Sequence, residues 1–292
     1  MRESELLEHI YRRSEGLADA STDLVVGPGD DCAVLRQAGG GLLLLTVDQL
    51  LGGVHYKPGT PVDLIARKAV ARSVSDIAAM GGTPRWALAT ALLPGNYPHA
   101  DELFDRMAHW ATRWGCPLIG GDIGSGPGEL HLTVTIGGEA HPERGPVLRS
   151  GVKPGDVLCV SGPLGGALES GHHLDFEPRV ELGRRLCDTL GRNLHAMIDL
   201  SDGLGRDGAR IAKASGVRLV IDAEKIPRRE GVDSWRNAAG DGEDYELLVA
   251  IAPGRNVPEG LIEIGRAEAG PAGCEIVDSG EKIDAGEMGW DH

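Results

Sequence analysis

The chain has 292 residues, 41% of them apolar and 25% charged, enough to fill two cores in an ordinary globular protein. Its net charge of −15 and its 4% aromatic content exclude a module that grips a long polyanion by charge or stacks on bare nucleic acid. Cys32, Cys116, Cys159, Cys187 and Cys274 form no C-x-x-C pair, which excludes a zinc or disulfide framework and fits a reducing compartment.

The opening MRESELLEHIYRR is charged throughout and predicts a short helix on Leu6, Leu7 and Ile10, with no export signal and a cytoplasmic location. Apolar runs such as Leu42 to Leu45 are too short to span a bilayer. Asp31 to Leu35 and Leu42 to Asp48 read as strands joined by the glycine-rich turn 37–41, a β-hairpin. Thr60-Pro61-Val62-Asp63 predicts a helix start with Thr60 as N-cap, and the helix runs to about Met80 before Gly81-Gly82. A strand over 86–93, a helix over 100–114, and strands over 117–121 and 130–138 follow. The Pro- and Gly-bearing stretch 145–155 marks a boundary between domains 1–148 and 149–292. Beyond it come a strand over 157–160, a glycine-rich turn over 161–166, a strand over 196–199, a helix capped by Ser201 and ending near Gly216, and strands over 217–221 and 247–251. Hairpins mixed with strand–helix alternation predict an α+β fold of two domains.

The carboxylates carry the chemistry. The hairpin register brings Asp30 or Asp31 opposite Asp48, where like charges repel, and Thr46 shares a face with Asp48. An all-oxygen set of this kind suits Mg²⁺, although a Gly-Asp-Asp run also opens a turn without any metal. Asp76 falls in the last turns of its helix, against the macrodipole, beside Ala69, Ser73 and Met80. A cation would compensate it there, and so would a pair with Arg72 or plain exposure. Gly120-Gly121-Asp122 and Asp199-Leu200-Ser201-Asp202-Gly203 both end strands. The latter leads into a helix N-terminus whose N–H groups could hold phosphate, while Asp202 could simply cap it. Carboxylates gathered at so many element ends call for several cations, and Mg²⁺ with a polyphosphate would balance both charges. The P-loop pattern and the H-R-D and D-F-G runs of protein kinases are absent from the sequence.

Taken in order, Gly29-Asp30-Asp31, Asp48 through His55, Ser75-Asp76-Ile77-Ala78-Ala79-Met80-Gly81, Gly120-Gly121-Asp122, Met197 to Leu204 and Gly242 to Leu247 resemble the thiamine-monophosphate kinase family, of the aminoimidazole-ribonucleotide-synthetase-like superfamily. The resemblance covers nearly the whole chain. It implies phosphorylation of thiamine monophosphate to thiamine diphosphate by ATP, and a homodimer whose N-terminal strands form a shared β-barrel. It also implies Asp31, Thr46, Asp48, Asp76, Asp122, Asp199 and Asp202, with Asp30, as Mg²⁺ ligands. Gly121, Asp122, Arg149 and Ser201 become ATP contacts, and His55, Glu243 and Trp290 become contacts to the acceptor, with no general base or nucleophile. Trp290 could stack on a cationic ring or close a core cluster. Gly52, Ser73, Ile123 and Asp241 depart from the family pattern. Two other readings stay open: a synthetase-like member of the same superfamily, and a non-catalytic nucleotide-binding regulator.

Overall fold

The computed structural model describes residues 3–14 and 16–290. Helices α1 (Glu3–Ser14) and α2 (Leu17–Ala20) precede strands β1 (Leu24–Val26), β2 (Ala33–Arg36) and β3 (Leu42–Leu51). Helix α3 (Val62–Ala79), strand β4 (Thr83–Pro94), helix α4 (Ala100–Arg113) and strands β5 (Leu118–Gly126) and β6 (His131–Glu139) complete the first half. These strands form a six-stranded sheet in the order β1-β2-β3-β6-β4-β5. The hairpin forms as the turn chemistry predicts, with Ala33 opposite Leu45 and Arg36 opposite Leu42. Strands β4 and β5 run parallel, as two strands joined by a helix can.

Alternation along the strands separates the two faces of this sheet. Leu44, Leu50, Leu132, Val134, Ile136, Ala87, Ala89 and Ala91 point inward and are buried against α3 and α4. Alanines on β4 let the helices approach closely. Large side chains on that interface, such as Val70, Val74 and Ile77, each stabilise the fold by roughly 1.5–3 kcal/mol. The opposite face stays open, with Val47, Leu88 and Leu92 exposed. Among the described residues the sheet does not close into a barrel: β1 and β5 are its edges.

The second half holds β7 (Val157–Val160), α5 (Ala167–Ser170), α6 (His172–Asp175), α7 (Val180–Leu190), β8 (Leu194–Asp199), α8 (Leu204–Ser215), β9 (Arg218–Asp222), α9 (Trp235–Gly240), β10 (Leu247–Ile251), β11 (Ile262–Glu268), β12 (Gly273–Asp278) and β13 (Glu281–Asp284). Its seven-stranded sheet has the order β13-β12-β9-β11-β7-β10-β8. A core containing Leu204, Ile211 and Ala238 covers one face, and Leu186 with Leu190 covers the β7-β10-β8 end of the other. β10 is buried along its whole length, which is why Leu247-Leu248-Val249-Ala250-Ile251 is apolar without alternation. The connection between the sheets is pinned to both. Val147 N–H donates to the Met80 carbonyl at the end of α3, and Met197 N–H on β8 donates to the Leu148 carbonyl. No described helix is long and apolar enough to cross a membrane.

Two helix starts differ from the sequence expectation. α3 begins at Val62 with Pro61 at its N-cap, because the Thr60 hydroxyl donates instead to the Lys57 carbonyl. α8 begins at Leu204 with Gly203 as N-cap, at φ 115°, so Ser201 caps nothing. Asp207 accepts the N–H groups of Asp202 and Gly203 at 2.9 and 3.1 Å. Those donors are thereby committed within the protein and do not form an open phosphate cradle.

Candidate active site

Three elements that are distant in sequence deliver carboxylates to one point. Asp31 precedes β2, Asp76 lies in the last turn of α3, and Asp199 ends β8. One oxygen from each lies within 4.8 Å of the others. The Asp31 side chain is fully buried, and one of its oxygens, Oδ2, has no hydrogen-bond partner. Its Oδ1 accepts Nε and Nη2 of Arg149 at 3.2 and 2.6 Å, while Arg149 N–H donates to Asp30. Ser75 Oγ donates to Asp199 at 2.6 Å, and the Thr46 hydroxyl donates to Asp76.

Burial pushes the Asp76 carboxyl well above the usual range, and the charges of Asp48, Asp199 and Asp31 push it further. Burial, then Asp31, does the same to Asp199. Burial and Asp31 bring Asp30 up to about 6. Such a group strains to shed negative charge. An orphaned buried oxygen and an all-oxygen donor set fit a hard divalent cation such as Mg²⁺.

The other expected ligands sit around this centre at different removes. Asp48 is half-buried on β3; its Oδ2 lies 2.9 Å from Ser73 Oγ, and its Oδ1 lies 3.8 Å from Arg72. Serine thus serves Asp48 at one of the positions that depart from the family pattern. Asp202 forms an ion pair with Arg210 at 2.5 Å, and Arg210 also reaches the buried Asp207 at 2.7 Å. Asp122 is exposed on edge strand β5, paired with Thr90. The row Asp48, Val134, Ala89 and Gly121 crosses the sheet in register, so Asp122, one residue on, belongs to the opposite face. The structure does not bring it into the Asp31 cluster. Gly121 itself must be glycine: a Cβ there would fall 1.8 Å from the Ala89 carbonyl oxygen.

A second group of side chains surrounds Lys68, which sequence reasoning overlooked. Lys68 is fully buried in α3. Its ammonium donates to the His55 carbonyl at 2.8 Å, lies 2.9 Å from His173 Nδ1, and pairs with Glu243 at 2.6 Å. His55 is itself buried, and its Nδ1 accepts the Leu51 N–H at 2.8 Å. Glu243 N–H donates to the Ser201 carbonyl at 2.7 Å. Trp290 is 44% exposed; its N–H donates to the Asp202 carbonyl and its ring Nε1 to the Asp241 carbonyl at 2.8 Å. His55, Glu243 and Trp290 are therefore linked, through Lys68 on one side and the 201–202 loop on the other. Arg67 and Lys68 interrupt the otherwise apolar stretch 65–71, and that pair was the available signal.

Residues 29–140 match the family model described as AIR synthase related protein, N-terminal domain. The thiamine-monophosphate kinase of Rhodopirellula baltica is 36% identical over 79% of this chain and 77% of its own length. The Salmonella typhimurium thiamine-monophosphate kinase is 31% identical over 97% and 96%. The chain belongs to the thiamine-monophosphate kinase family. A solved structure of AaThiL complexed with AMPPCP and TMP superposes with a TM-score of 0.84 at 29% identity, covering 100% of this chain and 99% of that one. Within this family chain, the motifs around Asp31, Asp76 and Asp199 meet at the carboxylate cluster and those around His55 and Glu243 meet at Lys68, whereas Gly120-Gly121-Asp122 joins neither group.

Proposed function

We propose that this kinase transfers the terminal phosphoryl group of ATP directly to the phosphate of thiamine monophosphate, giving ADP and thiamine diphosphate. The observation that carries the reading is the convergence of Asp31, Asp76 and Asp199 from both halves of a chain that matches AaThiL, solved with AMPPCP and TMP, over its full length. Asp30, Asp31, Thr46, Asp48, Asp76, Asp199 and Asp202 would hold several Mg²⁺ ions, while Asp122, on the opposite face of β5, stands outside this set. Bound there, the metal supplies charge neutralisation between the donor and acceptor phosphates. Gly121, Arg149 and Ser201 would contact ATP. His55, Glu243 and Trp290 would contact the acceptor.

The reaction breaks the bond from the terminal phosphorus to its bridging oxygen and forms one to an acceptor phosphate oxygen. That oxygen needs no base, because a phosphate monoester loses its second proton at about pH 6. His55 supports this account. Its Nδ1 accepts a backbone N–H, so the neutral ring carries its proton on Nε2 and acts as a donor rather than a base. Alignment and charge neutralisation then carry the catalysis. The exposed Val47, Leu88 and Leu92 on the open face of the first sheet support its pairing with a second copy, which would cover that face and complete a barrel.

The test is ATP consumption with thiamine monophosphate against a panel of other phosphorylated acceptors. Selective turnover of thiamine monophosphate is expected; equal or greater turnover of another acceptor overturns the assignment. Trapping of a ³²P-labelled enzyme on incubation with ATP alone overturns direct transfer.

A further inference from the structure

A lysine ammonium with no solvent exposure is retained only where its donors and its charge are compensated. Lys68 is compensated in large part: burial lowers its pKa to about 8, and the facing Glu243 holds it from falling further. Its ammonium donates to the His55 carbonyl at 2.8 Å, lies 2.9 Å from His173 Nδ1 and forms an ion pair with Glu243 Oε2 at 2.6 Å. Each partner comes from a different part of the chain. His55 follows β3, His173 lies on α6, and Glu243 lies between α9 and β10. For His173 to accept, its Nδ1 must be unprotonated; burial and the facing cations Lys68 and Lys57 push its pKa down to about 4, which keeps it neutral.

Glu243 needs such an anchor. It sits at φ 59°, and Tyr245 two residues on sits at φ 51°, left-handed conformations that side-chain-bearing residues hold only when surrounding contacts enforce them. Tyr245 is fixed by stacking on Phe176, with ring centroids 3.9 Å apart. The fixing contacts at Glu243 are its N–H on the Ser201 carbonyl and its carboxylate on Lys68. Its side chain retains 13% exposure, whereas Lys68 retains none. The glutamate can therefore meet a ligand, and the lysine acts only through it. The charge matters as well as the geometry. An unpaired Glu243 carboxylate would repel a phosphate-bearing acceptor, and the pair with Lys68 cancels that repulsion.

We propose that Lys68 is a positioning residue of the acceptor site: by pairing with Glu243 while binding the His55 carbonyl, it sets both acceptor contacts in one geometry and neutralises the glutamate. This rests on the reading of His55 and Glu243 as acceptor contacts.

The test is steady-state kinetics of Lys68→Met, Glu243→Gln and the double variant on the intact protein. Each single substitution raises the KM for thiamine monophosphate by about tenfold or more and leaves the KM for ATP within about twofold. The double variant is no worse than the more impaired single one, because both remove the same interaction. Equal effects on both substrates, or additive losses in the double variant, overturn the proposal and leave Lys68 a general packing element. Lys68→Met leaves Glu243 with an uncompensated charge, so a folding failure is decided by the double variant, which removes both charges together. Its acceptor KM should match that of Glu243→Gln alone, and a further rise overturns the proposal. Wild-type protein that turns over another acceptor but not thiamine monophosphate overturns the functional reading and this inference with it. Wild-type turnover with an acceptor KM unmoved by Lys68→Met overturns this inference alone.

Discussion

Replacing Asp76 by Asn removes one negative charge from the point where Asp31, Asp76 and Asp199 meet within 4.8 Å, and keeps an acceptor for the Thr46 hydroxyl. Two unit charges at that distance repel by about 3.5 kcal/mol at an effective dielectric constant of about 20. Arg149 offsets Asp31, so Asp199 and Asp48 supply the repulsion that survives. The wild-type protein without metal escapes part of this by protonating Asp76. Holding that proton costs about 1.4 kcal/mol per pH unit above the ordinary value of 3.8. The wild-type cost therefore grows with pH, from about 2 kcal/mol at pH 5 to a few kcal/mol at pH 8, with burial adding to the repulsion. The sign follows from the raised folded-state pKa: the stability tied to that proton is present below about pH 3.8 and lost as pH rises, and asparagine does not titrate. Metal-free Asp76→Asn should therefore melt about 5–8 °C above wild type at pH 8 and no more than about 3 °C above it at pH 5. Added Mg²⁺ should reverse the order, since the wild-type site gains more from the cation. Turnover should fall by at least about 100-fold. Thermal unfolding in chelator and in Mg²⁺, with a coupled ADP assay, reads all of this. A metal-free variant no more stable than wild type at pH 8, or one with near wild-type turnover, refutes the reasoning.

Burial pushes Asp244 up to about 7 against the pull of Arg229 and the Gly165 N–H, so the stability tied to its proton is lost as pH rises from about 4 through 7. Asp244→Asn should flatten that part of the profile, shifting the stability difference toward the variant by about 3–4 kcal/mol between pH 4 and 8 in urea titrations. An unchanged slope counts against it. Asp207→Ala should cost about 3 kcal/mol, because it strands the N–H groups of Asp202 and Gly203 and leaves Arg210 short of a partner. Equilibrium unfolding measures the loss, and a change under 1 kcal/mol would show that the 199–203 loop holds itself. Leu88→Asp places a charge on the exposed apolar face of the first sheet. Light scattering at micromolar concentration should report a dimer for wild type and a monomer for the variant; a monomeric wild type contradicts the proposed pairing.

The strongly patterned elements were legible in the sequence because local chemistry dictates them. The hairpin over 33–51 follows from alternation around a glycine-rich turn, and the span of α3 from helical spacing ended by Gly81. β10 follows from an unbroken apolar run between Glu246 and the Pro253-Gly254 turn. The stretch from 262 to 284 was not read as strands: Ile262–Glu268 is largely polar and takes its pairing from β7 and β9, distant in sequence, while Glu281–Asp284 is a polar edge strand that pairs with β12 across a tight turn. Of the site, the sequence by itself determined which carboxylates stand at element ends without local partners, and their order along the chain. It could not tell Asp199, which joins the central cluster, from Asp202, three residues on, which turns to Arg210. Nor could it tell that Asp122 falls on the far face of β5, since a shift of one residue in a strand reverses the side chain. Ser201 lost its expected cap for a similar reason: Asp207, one turn into α8, competes for the same N–H groups and takes them. Lys68 was hidden because a lysine within a helix reads as solvated until the packing is known. Only the tertiary structure, by closing α3 beneath His55, His173 and Glu243, decided that its charge is buried and paired, because burial is a property of what surrounds a residue rather than of the residue itself.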